Sequence, residues 1–275
     1  MRYIEQKICP VYPEGAKKDA YQPVLYGYLL ERSPKLVHSV KRPAVIVCPG
    51  GAYRYKSERE GDPVAMRFLA AGIHAFVLQY SVAPNRYPAA FLELASAVAE
   101  VRKHASEWNV DPEKILVCGF SAGGHLCASL GTDWNNPLLA EHLACAPYLW
   151  KPDGMILCYP VISMEEYGHE ECCQNLMGDK REELSSRLSC QKHVTADTVP
   201  AFIWATFEDE QVPVENSLLF AAALRGSHVA CELHLYEKGE HGLSLCDRTT
   251  EERPSQVLPD NAGWTELAVQ WIRRR

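Results

Sequence analysis

Short apolar, β-rich runs recur along the chain with helical patterns between them, and this alternation restricts the fold more than any other feature. The runs are Ala44–Cys48, Ile73–Tyr80, Lys114–Gly119, Gly154–Tyr159, Ala201–Thr206 and Ala230–Tyr236. Helical patterns cover Asp62–Ala71, Ala89–Glu107, Ala122–Leu130, Val214–Leu224 and, at the end, Trp264–Ile272. Within Ala89–Glu107, residues Phe91, Leu94, Ala95, Val98 and Val101 fall near a 3.6-residue repeat. Strands that are apolar on both faces and joined by helices predict a mostly parallel central sheet covered on both sides. Ahead of them, Tyr3–Val11 and Val24–Glu31 predict an antiparallel pair, joined by a Pro/Gly-bearing turn, that adds two edge strands to one side. The stretches Thr132–Pro152, Ser163–Pro200 and Glu240–Asn261 carry no regular pattern, and none has the bulk of a large lid. With no repeat, low-complexity tract or linker, residues 1–275 are expected to form one α/β domain.

One segment within this frame carries chemistry. Ile115–Leu126 contains Gly119-Phe120-Ser121-Ala122-Gly123, a G-x-S-x-G placed after a strand and before a helix. In that setting the serine sits on a turn so tight that only small residues fit two positions to either side. Its Oγ then projects from the carboxyl edge of the sheet, where open α/β sheets hold their ligands. The amides at the start of the following helix favour a developing negative charge there.

A hydroxyl needs a base to become a nucleophile. The G-x-S-x-G turn resembles the nucleophile elbow of α/β-hydrolases, and that resemblance implies an acid and then a histidine later in the chain. Of the ten histidines, His241 has the fitting context, in Lys238-Gly239-Glu240-His241-Gly242 directly after a strand. His234 lies inside that strand and reads as packing; His125 is expected to pack beneath the turn. His38, His74, His104, His142, His169, His193 and His228 have no comparable setting. The acid is sought in Glu208-Asp209-Glu210, after the run Ala201–Thr206. Asp209 is preferred because it opens a D-x-x-V-P pattern leading into the next helix, with Glu208 as fallback and Glu210 behind it. The selected acid would orient the imidazole and stabilise its charged form.

An oxyanion needs backbone amides aimed at one point. Ala122 N–H, next after the serine, is one candidate. Gly51 or Ala52, in Val47-Cys48-Pro49-Gly50-Gly51-Ala52-Tyr53 after an early strand, offers the second. Tyr53 is expected beside this loop, contacting substrate.

Composition narrows the partners. The net charge of −7 argues against nucleic acid or an anionic membrane surface as the main partner. No apolar run approaches a membrane span, and the first residues, Met1 to Lys7, are charged rather than signal-like. A cytoplasmic location follows as an expectation. Eleven cysteines without a CxxC pair read as small apolar residues in a reducing compartment. Cys48, Cys118, Cys158 and Cys231 lie in strand runs and Cys127 in a helix; the adjacent Cys172 and Cys173 are expected to be more exposed. No metal or cofactor is expected, and nothing in the sequence bears on oligomeric state.

These segments resemble one branch of the α/β-hydrolases, the acetylesterases and carbohydrate esterases related to acetyl xylan esterases, some carrying endo-xylanase labels. The resemblance runs from Ala44 to Trp271. It rests on Pro49–Tyr53, Arg59-Glu60-Gly61-Asp62-Pro63-Val64-Ala65, Leu78–Pro84, Cys118–Leu126, Lys192–Thr195, Val212–Ser217 and Glu237–Gly242. It implies cofactor-free ester hydrolysis through an acyl-enzyme, usually on small acyl groups. Two positions depart from the pattern: Ala52 stands where a third glycine is usual, and Ala205-Thr206-Phe207-Glu208-Asp209 stands where His-Thr-Ala-Asp-Asp is common. The expected substrate is a short-chain ester, acetyl above all, of a small alcohol such as a sugar or xylan oligomer. A peptidase or formamidase on the same frame, or a non-catalytic binding or scaffold protein, are the competing readings.

Overall fold

The computed structural model describes residues 1–31, 35 and 41–275, so His38 lies outside the described residues. Eight strands form one sheet: β1 (Arg2–Lys7), β2 (Val24–Leu29), β3 (Arg42–Cys48), β4 (His74–Gln79), β5 (Val110–Phe120), β6 (Gly154–Cys158), β7 (Ala201–Thr206) and β8 (Cys231–Tyr236). Their order is β1-β2-β4-β3-β5-β6-β7-β8. The first two pairings are antiparallel and all the others parallel. This is the mostly parallel sheet expected from the alternation of runs, with the antiparallel pair at one edge, and it is the architecture that the α/β-hydrolase resemblance implies.

Alternate residues of each central strand feed two separate cores, as the two-residue period of a strand requires. Val45, Val77, Cys118, Ile156 and Trp204 face the helices Asp62–Ala70 and Trp264–Arg273. Ile46, Phe76, Val117, Leu157 and Ile203 face the helices Ala89–Lys103 and Ala122–Asp133. Strand β8 closes the far edge and is only partly covered, which exposes Cys231 rather than burying it.

Several boundaries differ for identifiable reasons. β5 begins at Val110, upstream of the apolar run, because Val110 pairs with Arg42. The long helix breaks at His104, whose Nδ1 donates to the carbonyl of Glu100 at 2.9 Å, before a short turn Ala105–Trp108. The stretches without periodicity contain short helices, among them Pro137–His142, Glu170–Met177 and Pro259–Ala262, each too brief for a repeat to be legible. Cys172 and Cys173 are buried on the inner side of Glu170–Met177, not exposed. All eleven cysteines are unpaired. Among the described residues, no helix is long and apolar enough to cross a membrane.

Candidate active site

The turn after β5 is shaped by backbone collisions. A Cβ on Gly119 would lie 2.1 Å from the carbonyl oxygen of Gly123, and one on Gly123 would lie 2.0 Å from that of Cys48. Ser121 takes φ 51 and ψ −116, a conformation that costs a non-glycine residue about 1–3 kcal/mol. Three backbone bonds hold it there: Ser121 N–H donates to Cys158 O, while its carbonyl accepts from His125 N–H and Val161 N–H, all at 3.1 Å. The side chain is thereby raised over the sheet's carboxyl edge.

His241 and Asp209 meet Ser121 in one line. His241 Nε2 is 2.8 Å from Ser121 Oγ, and His241 Nδ1 is 2.7 Å from Asp209 Oδ2. The other carboxylate oxygen, Oδ1, accepts the N–H groups of Gln211 (3.0 Å) and Val212 (2.9 Å), which orients the buried carboxylate. Asp209 is 4% exposed, whereas Glu208 and Glu210 are exposed. Glu208 instead accepts the N–H of Gly239 at 3.0 Å and so braces the loop that carries His241. The D-x-x-V pattern is thus a local turn that presents Asp209 inward.

The loop from Pro49 to Tyr55 lies on the other side of Ser121. Gly51, at φ 124, could not carry a side chain: its Cβ would sit 2.4 Å from Tyr55 O. Ala52 holds φ 53, in the region where glycine is at ease. Carbonyls and side chains pin the loop. Tyr80 Oη donates to Pro49 O (2.5 Å), Asn175 Nδ2 donates to Ala52 O (2.9 Å) and Ala83 N–H donates to Tyr53 O (2.8 Å). The N–H groups of Gly51, Ala52 and Ala122 find no acceptor among the described residues. Gly51 and Ala52 line the same cavity as Ser121.

Tyr53 does not contact that cavity, contrary to expectation. It is 2% exposed, and its hydroxyl lies 2.8 Å from His125 Nδ1, because the left-handed backbone at Ala52 and Tyr53 turns the ring inward. Tyr55 lines the cavity instead. His125 packs beneath the turn as the sequence suggests, and His234 packs against Phe202 on the edge strand. Phe207, one of the departures from the resembled pattern, is 59% exposed and lies away from the cavity.

The cavity measures about 710 Å³ and its walls are polar. Besides Ser121 and His241 it presents His169, Glu171, Arg54 and Gln211. Arg54 and Glu171 form an ion pair at 2.9 Å across the rim. Nδ1 of His169 accepts the N–H of Cys172 at 3.2 Å, which makes Nε2 the donor. Burial, and then the neighbouring His241, push the pKa of His169 below its ordinary value. His169 and Glu171 come from a stretch without sequence periodicity and Gln211 from inside the D-x-x-V-P pattern, so only their three-dimensional placement reveals them. Two further residues had no assigned role: Glu60, within the Arg59–Ala65 run, and Tyr159, at the end of the fourth apolar run. Glu60 is 3% exposed and borders the cavity; Tyr159 packs edge-on against His241 with ring centres 5.2 Å apart. No group of three or more His, Cys, Asp or Glu is placed to hold a metal ion among the described residues.

Comparison with known proteins places this site in context. The family pattern described as BD-FAE matches residues 34–224. The chain is 38% identical over 237 residues to "Endo-1,4-beta-xylanase B" of Butyrivibrio fibrisolvens, covering 82% of this chain and 35% of that one. It is 31% identical over 228 residues to "Acetylxylan esterase" of Xylanibacter ruminicola, covering 80% of this chain and 45% of that one. The chain therefore spans less than half the length of either relative. Among solved structures it is similar to the acetyl ester-xyloside bifunctional hydrolase of Caldicellulosiruptor lactoaceticus, with a TM-score of 0.79, 37% identity and coverage of 93% and 89%.

Proposed function

The chain belongs to the BD-FAE family of α/β-hydrolases, and from that premise we propose that it is a serine esterase removing short acyl groups, acetyl foremost, from small polyhydroxylated alcohols such as sugars or xylan oligomers. The observation that carries this reading is the line Ser121–His241–Asp209, at 2.8 and 2.7 Å, at a cavity also lined by Gly51 and Ala52.

In this reading His241 takes the proton of Ser121 as Oγ attacks the ester carbonyl, and Asp209 stabilises the imidazolium that results. The N–H groups of Ala122 and of Gly51 or Ala52 receive the oxyanion, each worth roughly 3 kcal/mol in the transition state. The alcohol leaves with the proton from His241. Water then repeats the sequence on the acyl-enzyme and frees the acid. No cofactor enters these steps.

Support for an acetylated carbohydrate comes from two sides. Proteins similar to this chain carry the names acetylxylan esterase and acetyl ester-xyloside hydrolase. The cavity wall is polar, and its four basic residues (Arg54, Lys56, Arg59, Arg253) are matched by four acidic ones (Glu58, Glu60, Glu171, Glu252), which suits a neutral, hydroxyl-rich alcohol rather than an ionic one. Eleven unpaired cysteines suit a reducing compartment. The 275 residues act as one domain in this reading.

Hydrolysis of p-nitrophenyl acetate, butyrate and octanoate by wild type and Ser121→Ala tests the proposal, followed by acetylated xylo-oligosaccharides. Acetate should turn over fastest, and Ser121→Ala should fall roughly a thousandfold or more. Faster cleavage of octanoate would remove the short-chain assignment. A formyl amide and a dipeptide in the same assay distinguish a formamidase or peptidase. Folded protein with no Ser121-dependent turnover on any of them would favour the non-catalytic reading.

A further inference from the structure

Glu60 is a carboxylate with almost no solvent contact, placed at the border of the cavity. A buried carboxylate is costly unless its lone pairs are satisfied. Oε2 accepts the N–H of Gly50 at 2.8 Å, and Oε1 accepts the hydroxyl of Tyr159 at 2.6 Å. Burial pushes the Glu60 pKa up, opposed by the Tyr159 hydroxyl, the Gly50 amide and the nearby His241 and Arg59. Both bonds are the kind an ionised carboxylate makes.

Each bond leads to a different half of the site. Gly50 precedes Gly51 in the loop that lines the cavity with Ser121, and there is no slack: a Cβ on Gly50 would lie 2.8 Å from Glu60 Oε2 and 3.1 Å from Ser121 Cβ. Tyr159 leads to the histidine. Its hydroxyl accepts the N–H of Ser244, three residues after His241, at 2.8 Å, while its ring packs against the imidazole. Tyr159 itself holds φ 36, and its N–H donates to Trp204 O at 2.7 Å. A second tie runs in parallel, from Ser244 Oγ to Arg59 O at 2.7 Å. The turn Glu58–Glu60 is thus fastened to the histidine loop at two points and to the glycine loop at one.

We infer that Glu60 and Tyr159 are a positioning pair, which sets the Gly50–Gly51 turn and the His241 loop at a fixed separation across Ser121. The inference rests on the esterase reading above. Neither side chain hydrogen-bonds Ser121 or His241; Tyr159 meets the imidazole only by ring packing. The pair acts by keeping the amide donors and the imidazole in register as charge moves between them, and such register matters because displacements near 1 Å can cost about a hundredfold in rate.

The test uses Glu60→Gln, Glu60→Ala, Tyr159→Phe and the double variant Glu60→Gln/Tyr159→Phe on p-nitrophenyl acetate, with Ser121→Ala alongside. Competent sites are counted by titration with a phosphonylating reagent, so that kcat refers to folded enzyme only. Tyr159→Phe and Glu60→Ala should lower kcat by about 10- to 100-fold with KM within about threefold. Glu60→Gln, which keeps an acceptor for Gly50, should recover part of the loss. The double variant should fall within about threefold of the worse single one, since both break one linkage. Should Glu60→Ala fail to fold, Tyr159→Phe and Glu60→Gln carry the test. Titrated kcat within about twofold of wild type in both overturns the inference, and so does a double variant that loses the product of the single factors. Activity surviving in Ser121→Ala would defeat the esterase reading itself, a result distinguishable from either.

Discussion

Tyr53 donates its hydroxyl to Nδ1 of His125 across 2.8 Å, and Nε2 of His125 donates in turn to the carbonyl of Leu188 at 2.8 Å. The carbonyl can only accept, so Nε2 carries the hydrogen and Nδ1 is left to receive the tyrosine's. One neutral imidazole thereby joins three segments: the glycine loop, the helix that begins at Ala122, and the connection between β6 and β7.

That imidazole should make the protein acid-sensitive. Burial lowers the pKa of His125 to about 4, from an ordinary 6.5. A depressed value means that the unfolded chain takes up a proton before the folded one does. Stability is therefore fully present above pH 6.5 and is lost as pH falls toward 4, by about 3 kcal/mol for this group. Denaturant unfolding at pH 7 and at pH 4.5 would measure it. His125→Gln should show a loss smaller by about that amount over the same interval; an identical loss in wild type and variant would exclude His125 as the source.

The choice among three successive carboxylates can be tested directly. Asp209→Asn should reduce kcat by about 10³- to 10⁴-fold, because the amide no longer stabilises the imidazolium. Glu208→Gln, which disturbs only the bond to Gly239 N–H, should cost less than about tenfold, and Glu210→Gln should leave kcat unchanged. Steady-state kinetics on p-nitrophenyl acetate decides between them, and a larger loss at Glu208 than at Asp209 would reverse the assignment.

The turn around Ser121 leaves no room for even a methyl group. Gly123→Ala would press a Cβ against Cys48 O, a backbone atom that cannot swing aside. A cost of more than about 3 kcal/mol is expected from such strain, seen as a fall in melting temperature or as protein that does not accumulate folded. Gly226→Ala, with nothing within 4 Å of its Cβ, serves as the contrasting control and should not lower stability.

At the cavity rim, Arg54 and Glu171 are 63% and 40% exposed, so their ion pair should contribute at most about 1 kcal/mol to stability. In the proposed esterase they would contact the alcohol portion of the substrate. Glu171→Ala should keep the melting temperature within about two degrees and kcat/KM on p-nitrophenyl acetate within about twofold. On acetylated xylo-oligosaccharides it should lower kcat/KM by about tenfold, the worth of one polar contact. Equal effects on both substrates would mean that the rim does not read the alcohol.

Much of this protein was legible in its residues because the relevant constraints are local. Strand runs apolar on both faces require two covering layers, and the structure has them. Gly119 and Gly123 around Ser121 answer a collision within a few residues of backbone. The order Ser121, Asp209, His241 is expected from the resemblance of the serine turn to the α/β-hydrolase elbow, and each of the three stands just after a strand run. Tertiary structure decided what depends on segments distant in the chain. Burial separates Asp209 from its two neighbouring glutamates, and a left-handed backbone at Ala52 and Tyr53 sends Tyr53 toward His125 and leaves Tyr55 to face the cavity. The pairing of Glu60 with Tyr159 spans 99 positions, and His169 and Glu171 reach the cavity from a stretch with no periodic signal. Periodicity and turn chemistry report what a segment needs from its own backbone; they are silent on which distant side chain will satisfy a buried charge, because that partner is supplied only when the strands take their places in the sheet.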